Sequence, residues 1–255
     1  MRNARTRHTA LLLTLLIGLL APALAQRQLT VSIWSDLPGF DPHGLTTAVP
    51  SQVYPNIFDR LVFRAADGEL LPALATEWSN ESDTSWRFTL REGVVWHDGE
   101  PFTAADVKFS LERVALDDSL PRHAQYSTIS GVEVVGDHEV VIHTHGPDPI
   151  LINRLAAGGG EMLPRHYFES VPYETFVSQP IGTGPYAFVR HDPDAAQHLE
   201  AFDRHWRGEA PFTTLVFRII PEATTAVSEL IAGGVDIVAR VEAPDMPRLE
   251  GRDDI

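Results

Sequence analysis

Apolar and polar residues alternate over Leu29–Trp34 (LTVSIW), a period-two pattern that predicts a strand with one buried face. The same alternation recurs at Trp86–Leu90 (WRFTL). Val132–Val135 and Glu139–His143 predict a hairpin around Gly136-Asp137, and Tyr186–His191 and His198–Phe202 predict strands. Short runs at Leu61–Arg64 and Val94–His97 also read as strands. They are closed by the turn signals Ala66-Asp67-Gly68 and Asp98-Gly99.

Helical spacing replaces alternation elsewhere. Val53, Ile57 and Leu61 share one face of a helix that leads into the strand at Leu61. Thr103 stands three residues before Asp106, the arrangement of a capping box, and Val107, Phe109, Leu111 and Val114 follow as the buried side. Short helices are expected at Pro149–Ala156 and Pro164–Ser170. Near the end the pattern reads strand (Thr214–Ile220), helix (Glu222–Ala232) and strand (Val235–Val241), with Gly233-Gly234 as the helix stop. Asp36–Val49 is a Pro/Gly-containing loop. The chain is α/β in class.

The first twenty-five residues depart from this pattern. Arg2, Arg5 and Arg7 precede an apolar run to Leu20, and Ala23 and Ala25 supply an A-x-A ending, so residues 1–25 predict a cleavable signal peptide. The apolar run is shorter than the ~20 residues a bilayer-spanning helix needs and is broken by Gly18 and Pro22. No cysteine exists anywhere in the 255 residues, which excludes a lipoprotein anchor, disulfides, thiolate metal sites and a thiol nucleophile. The formal charge is −15; removing the three arginines leaves 17 basic against 35 acidic residues, or −18. An exported, acidic, periplasmic protein with no nucleic-acid partner is expected.

Catalytic patterns are absent. The sequence has no G-x-S-x-G, H-E-x-x-H, Walker A or G-x-G-x-x-G. Gly182-Thr183-Gly184-Pro185 is half of a glycine fingerprint, but it lacks the third glycine and leads into a strand. His143 and His145 share one side of a strand without partners to complete a metal site, and His97-Asp98 sits in a turn. No enzyme activity, cofactor or metal is expected.

Several blocks occur in an order that resembles the family 5 solute-binding proteins of ABC importers, the dipeptide, oligopeptide and nickel binders. They are Asp41-Pro42-His43, Asn56–Val62 (NIFDRLV), Asp67–Ala75 (DGELLPALA) before Trp78, Trp86–Ser110 (WRFTLREGVVWHDGEPFTAADVKFS), Pro180–Tyr186 (PIGTGPY), and Trp206 before Gly208. Their physics is mostly structural. Gly182 and Gly184 permit tight backbone geometry, Pro185 fixes the entry to a strand, and the tryptophans and phenylalanines read as core.

The resemblance implies a periplasmic binding protein type II-like fold. Residues 26–49 and 180–241 would build the α/β core of a first lobe. Residues 50–179 would form an inserted α+β subdomain, and 242–255 would start a crossing into a second lobe that is missing from this sequence. Family members are about twice as long, so the sequence is expected to be a fragment or truncated product, binding no peptide usefully alone. The function implied is capture of peptides in an interlobe cleft, as a monomer, for delivery to an inner-membrane permease. Nickel-chelate or oligosaccharide binding, a stand-alone partner-binding module and a periplasmic hydrolase remain as alternatives. Cleft-facing candidates are Thr46, Thr47 and Ala48, Tyr126 and Thr183. Thr46–Ala48 reads equally as plain surface loop, and Tyr126 as a rim or core tyrosine.

Overall fold

The alternating segment near the start becomes a central strand, and the strands that follow sort into two larger sheets and one two-stranded hairpin. The computed structural model describes residues 27–253 and 255; the signal-peptide expectation falls outside them. In chain order the elements are β1 (Gln28–Ile33), α1 (Pro50–Ile57), β2 (Val62–Arg64), β3 (Leu70–Pro72), β4 (Ala75–Ser82) and β5 (Ser85–Leu90). Next come α2 (Ala104–Leu116), α3 (His123–Tyr126), β6 (Ile129–Gly136), β7 (Glu139–Thr144), α4 (Leu151–Leu155), α5 (Arg165–Ser170) and α6 (Tyr173–Ser178). The last are β8 (Tyr186–Asp192), β9 (Ala196–Ala201), β10 (Thr214–Ile219), α7 (Ala223–Ile231), β11 (Ile237–Val238) and α8 (Met246–Leu249).

The main sheet has the order β11-β1-β10-β9-β8. β1 pairs in parallel with both β10 and β11, and β8–β10 form an antiparallel meander. Ile33, Leu199, Leu215 and Phe217 from this sheet pack with Phe40, Val53, Ile57, Phe58 and Phe176 into one core. The second sheet, β4-β5-β7-β6, is wholly antiparallel. Phe88 and Leu90 from β5, Val140 and Ile142 from β7, and Val107, Leu111 and Val114 from α2 build its core. A separate two-stranded hairpin joins β2 and β3.

Local chemistry accounts for these elements. At the start of α2 the Thr103 amide donates to Asp106 Oδ2 at 2.9 Å, satisfying a backbone donor that the helix cannot. Asp106 Oδ1 also accepts from the Arg165 amide at 3.1 Å, so one carboxylate holds the beginnings of α2 and α5 together. Helix α1 starts at Pro50, three residues before the sequence expectation, because a proline is tolerated in the first turn where its missing amide costs nothing. The Val94–His97 run is a closed turn and not a full strand: Val95 bridges Pro101, and Trp96 accepts and donates across the turn to Gly99 and Glu100. The Val235–Val241 run narrows to a two-residue strand, since only Ile237 and Val238 lie in register with Val31 and Ser32.

The segment Gly182-Thr183-Gly184 joins the sheets. The Gly184 amide donates to the Ile57 carbonyl at 2.9 Å, capping the end of α1. On the other side the His97 ring accepts from the Gly182 amide through Nδ1 at 3.2 Å and donates through Nε2 to the Gly184 carbonyl at 3.0 Å. That pair of bonds defines a neutral imidazole with its proton on Nε2. Burial, opposed in part by the Gly184 carbonyl and Asp59, holds the His97 pKa down at about 4. A Cβ on Gly182 would overlap the Ile57 carbonyl oxygen, and one on Gly184 would lie 2.6 Å from the Ile57 carbonyl carbon.

Gly182→Ala should therefore destabilise the protein by about 3 kcal/mol or more, the upper range for overpacking. Gly68→Ala, at a turn with φ of +91° and open space around it, should cost only about 1 kcal/mol. Urea unfolding of the two variants checks this; equal losses would contradict the close-approach account.

Candidate ligand-binding face

Parallel strands present their carboxyl ends, where α/β sheets place ligands, on one side of the molecule. Here those ends belong to β1, β10 and β11, followed by Trp34, Ile220 and Ala239. They surround a depression lined by Ser32, Ile33, Trp34, Ile220, Pro221 and Arg240, with room of about 10 Å³. That is the space of one water, so these residues offer a wall and not an enclosure.

The loop leaving β1 is fastened in two places. Asp36 accepts from the Leu37 amide at 2.7 Å, His191 Nε2 at 2.8 Å, the Asp194 amide at 2.9 Å and Gln197 Nε2 at 3.2 Å. Burial pushes the Asp36 pKa up, but these hydrogen bonds outweigh it and the net shift is downward. Five residues on, Asp41 takes a two-pronged contact from Arg113, Nη1 to Oδ1 at 3.0 Å and Nη2 to Oδ2 at 2.7 Å. Tyr173 Oη donates to the same Oδ2 at 2.9 Å, and the His43 amide to Oδ1 at 3.0 Å. Burial again raises the Asp41 pKa, and the Arg113 hydrogen bonds and charge reverse it to a net lowering. Arg113 also lies over the Phe168 ring, 5.0 Å from its centroid.

His43 extends this network inward. Its Nε2 is 3.2 Å from the Glu161 carbonyl oxygen, and burial together with the nearby Arg113 charge pushes its pKa down to about 4. The Glu161 side chain accepts from Arg60 Nε at 3.0 Å and from the Gly159 amide at 2.6 Å. The Asp41-Pro42-His43 block is thus the anchor of the loop.

Thr46, Thr47 and Ala48 lie beyond that anchor and are exposed. Leu45 before them accepts from Arg122 Nε at 2.8 Å, and Ala48 accepts from Ser51 Oγ at 2.5 Å at the start of α1. Arg122 immediately precedes α3, so the structure brings the Thr46–Ala48 loop and the Tyr126 segment side by side. The two other candidates are interior. Tyr126 is 1% exposed, and its hydroxyl meets the carbonyls of Arg154 (2.7 Å), Ala157 (3.3 Å) and Gly158 (3.3 Å). Gly159, with φ of +93°, makes room: a Cβ there would stand 2.8 Å from the Tyr126 ring. Burial and the Glu161 charge push the Tyr126 pKa far up, so the ring is a neutral packing post. Thr183 is also 1% exposed, with Oγ1 donating to Asp59 Oδ2 at 3.1 Å. Thr183 and Tyr126 are separate from each other, and neither hydroxyl is free for a ligand.

Sequence reasoning assigned no site role to Asp36, Arg113, Glu161 or Asp59. The one available signal was the position of Asp36 and Asp41 in the loop directly after β1. Among the described residues no group of three or more histidine or acidic side chains converges as a metal site, and no helix is long and apolar enough to cross a membrane.

The neutral burial of His43 makes stability depend on pH. Its folded pKa lies near 4 and its unfolded value near 6.5, so between those values the unfolded chain binds a proton that the folded chain does not. Stability should fall as the pH drops from 6.5 towards 4, by on the order of 3 kcal/mol from this group. His43→Gln should lower stability at pH 7 but flatten the slope over that window in urea titrations. An unchanged slope would contradict the assignment.

Comparison with known proteins agrees with this architecture. Residues 69–255 match the family model described as bacterial extracellular solute-binding proteins, family 5, middle. Heme-binding protein A of Haemophilus influenzae is 31% identical over 219 residues, covering 76% of this chain and 40% of that protein. The probable di/tripeptide-binding protein 5 of Pseudomonas aeruginosa is 32% identical over 247 residues, covering 86% and 46%. Among solved structures, the oligopeptide-binding protein AppA of Bacillus subtilis, in complex with a nonapeptide, superposes with a TM-score of 0.82 at 25% identity, covering 89% of this chain and 47% of that one. NikZ from Campylobacter jejuni, in complex with Ni(L-His), gives 0.80 at 25% identity, with 89% and 46% covered. The chain spans about half the length of the curated relatives it matches. It has the periplasmic binding protein type II-like α/β fold, and it belongs to the bacterial extracellular solute-binding proteins of family 5.

Proposed function

We propose that the protein is the exported solute-binding component of an ABC importer, and that this chain supplies one wall of a cleft that captures peptides for an inner-membrane permease. The observation that carries the reading is the face at the carboxyl ends of β1, β10 and β11, from which the connection after β1 runs on to the exposed Thr46–Ala48 loop. A wall with one-water depth needs a second surface to enclose a solute, and enclosure is how such sites bury most of a ligand. Relatives named as dipeptide- and di/tripeptide-binding proteins support peptides as the solute class. On this reading residues 26–49 and 180–241 form the core of the lobe, and 50–179 an inserted subdomain. Thr46, Thr47 and Ala48 touch ligand, and the Tyr126 and Thr183 segments contribute position and not hydroxyl contacts.

Haem is the second solute class, favoured by the relative named Heme-binding protein A. The two are separated by what the protein carries. Purified without denaturation from the cells that make it, a form with both cleft walls should show short-peptide masses in native mass spectrometry, and residues 26–255 alone should show none. Haem or a metal chelate in their place would overturn the peptide assignment. In the peptide-binding form, Thr47→Arg should weaken binding at least tenfold in calorimetry while leaving the melting temperature unchanged. Full affinity in that variant would remove the loop from the site.

A further inference from the structure

A second cavity lies away from the ligand face, between the β2 strand and the connection that feeds the amino end of β10. It holds about 340 Å³, within the lower range for small-molecule sites (roughly 300–1,000 Å³). Its walls include Phe58, Val62, Phe63, Pro185 and Pro211. Phe63 is 44% exposed, a large ring left at the surface. Thr213, at the end of the same connection, bonds the Arg27 carbonyl beside the amino end of β1, so the cavity sits at the pole opposite the carboxyl-end face.

Its charges are unevenly satisfied. Of the three arginines in the lining, Arg60 is committed to Glu161, through Nη2 to Oε1 at 2.5 Å. Among the described residues Arg64 bonds only the neutral Asn153, at 2.9 Å to Oδ1 and 3.3 Å to the carbonyl. Arg207 is held by rings, 5.0 Å from the Phe63 centroid and 4.4 Å from that of Trp206. Among the described residues neither Arg64 nor Arg207 has a carboxylate at ion-pair distance. The acidic groups in the lining are Asp59 and Glu209. Asp59 is engaged by Trp206 Nε1 at 2.9 Å, Thr183 Oγ1 at 3.1 Å and His205 Nε2 at 3.5 Å; Glu209 is exposed. His205, in the same lining, has a side chain 4% exposed, and its buried Nε2 faces the Asp59 carboxylate.

We propose that this cavity binds a small aromatic carboxylate. Arg207 and Arg64 receive the carboxylate, since a guanidinium already stacked on rings keeps its donor edges for an anion. The ring of the ligand lies against Phe63 and the proline walls. The site is separate from the peptide cleft and does not depend on it.

The test uses the intact protein and ¹H–¹⁵N spectra, with the Trp206 indole N–H as local reporter. The probes are 4-hydroxyphenylacetate, phenylacetate and the neutral 4-hydroxybenzyl alcohol. Saturable shifts of the Trp206 indole are expected with both acids, with the alcohol at least tenfold weaker. Arg207→Gln should weaken 4-hydroxyphenylacetate at least tenfold, and Glu209→Gln should tighten it. The proposal is overturned by an unmoved Trp206 indole at about 10 mM probe, the millimolar limit of useful affinity. Equal binding of acid and alcohol, or full affinity in Arg207→Gln, would also overturn it.

Discussion

The contact between the Ile57 carbonyl and the Gly182–Gly184 backbone is the constraint on which the rest of the structure depends. It brings three stretches of chain to one place: the end of α1, the His97 turn beside the four-stranded sheet, and the residues that enter β8. No side chain fits between them, because a Cβ on either glycine would strike the Ile57 carbonyl group. The geometry also requires a histidine that stays neutral, since one ring nitrogen accepts while the other donates. From this junction β8 sets out across the main sheet, and Tyr54, Phe58 and Tyr186 pack beside it in the same core.

Buried charge holds the ligand face in place by a different logic. Asp41, Arg113, Glu161 and Arg60 lie mostly out of water, where an unmatched ion is costly and a matched one adds little net stability. What the pairs supply is placement. Arg113 on α2 and Tyr173 on α6 both reach Asp41, so the loop after β1 is located by two helices at once. Asp36 performs the same service from the other end of the loop by collecting donors from the β8–β9 hairpin. The exposed residues 46–48 then sit on a rigid base, which is the arrangement a recognition loop needs.

Much of this was legible in the sequence. Alternation located β1, β5, β8, β9 and β10, and Thr103 with Asp106 marked the start of α2, because each signal is local and needs no knowledge of the partner. The ordered blocks from Asp41 to Gly208 pointed to the right family. Elements defined by distant packing were harder. β4 alternates poorly because much of it is exposed, and α3 and α6 are too short to show a period. Thr183 and Tyr126 stood out as polar groups near glycines or in a polar stretch. Their hydroxyls turn out to serve Asp59 and the carbonyls at the end of α4 and just beyond it, partners more than twenty residues away that no spacing rule reveals. Arg113 likewise reads as an ordinary helix-end cation until the fold carries Asp41 to it.

If the glycine junction unites the two sheets, they open together. Native-state hydrogen exchange at low denaturant reads this most directly, through the amides of Gly184, Phe88 in the four-stranded sheet and Phe217 in the main sheet. One shared free energy of opening for all three is the predicted result. A Gly184 amide that exchanges far faster than both sheets, or two sheets that open at clearly different free energies, would contradict it.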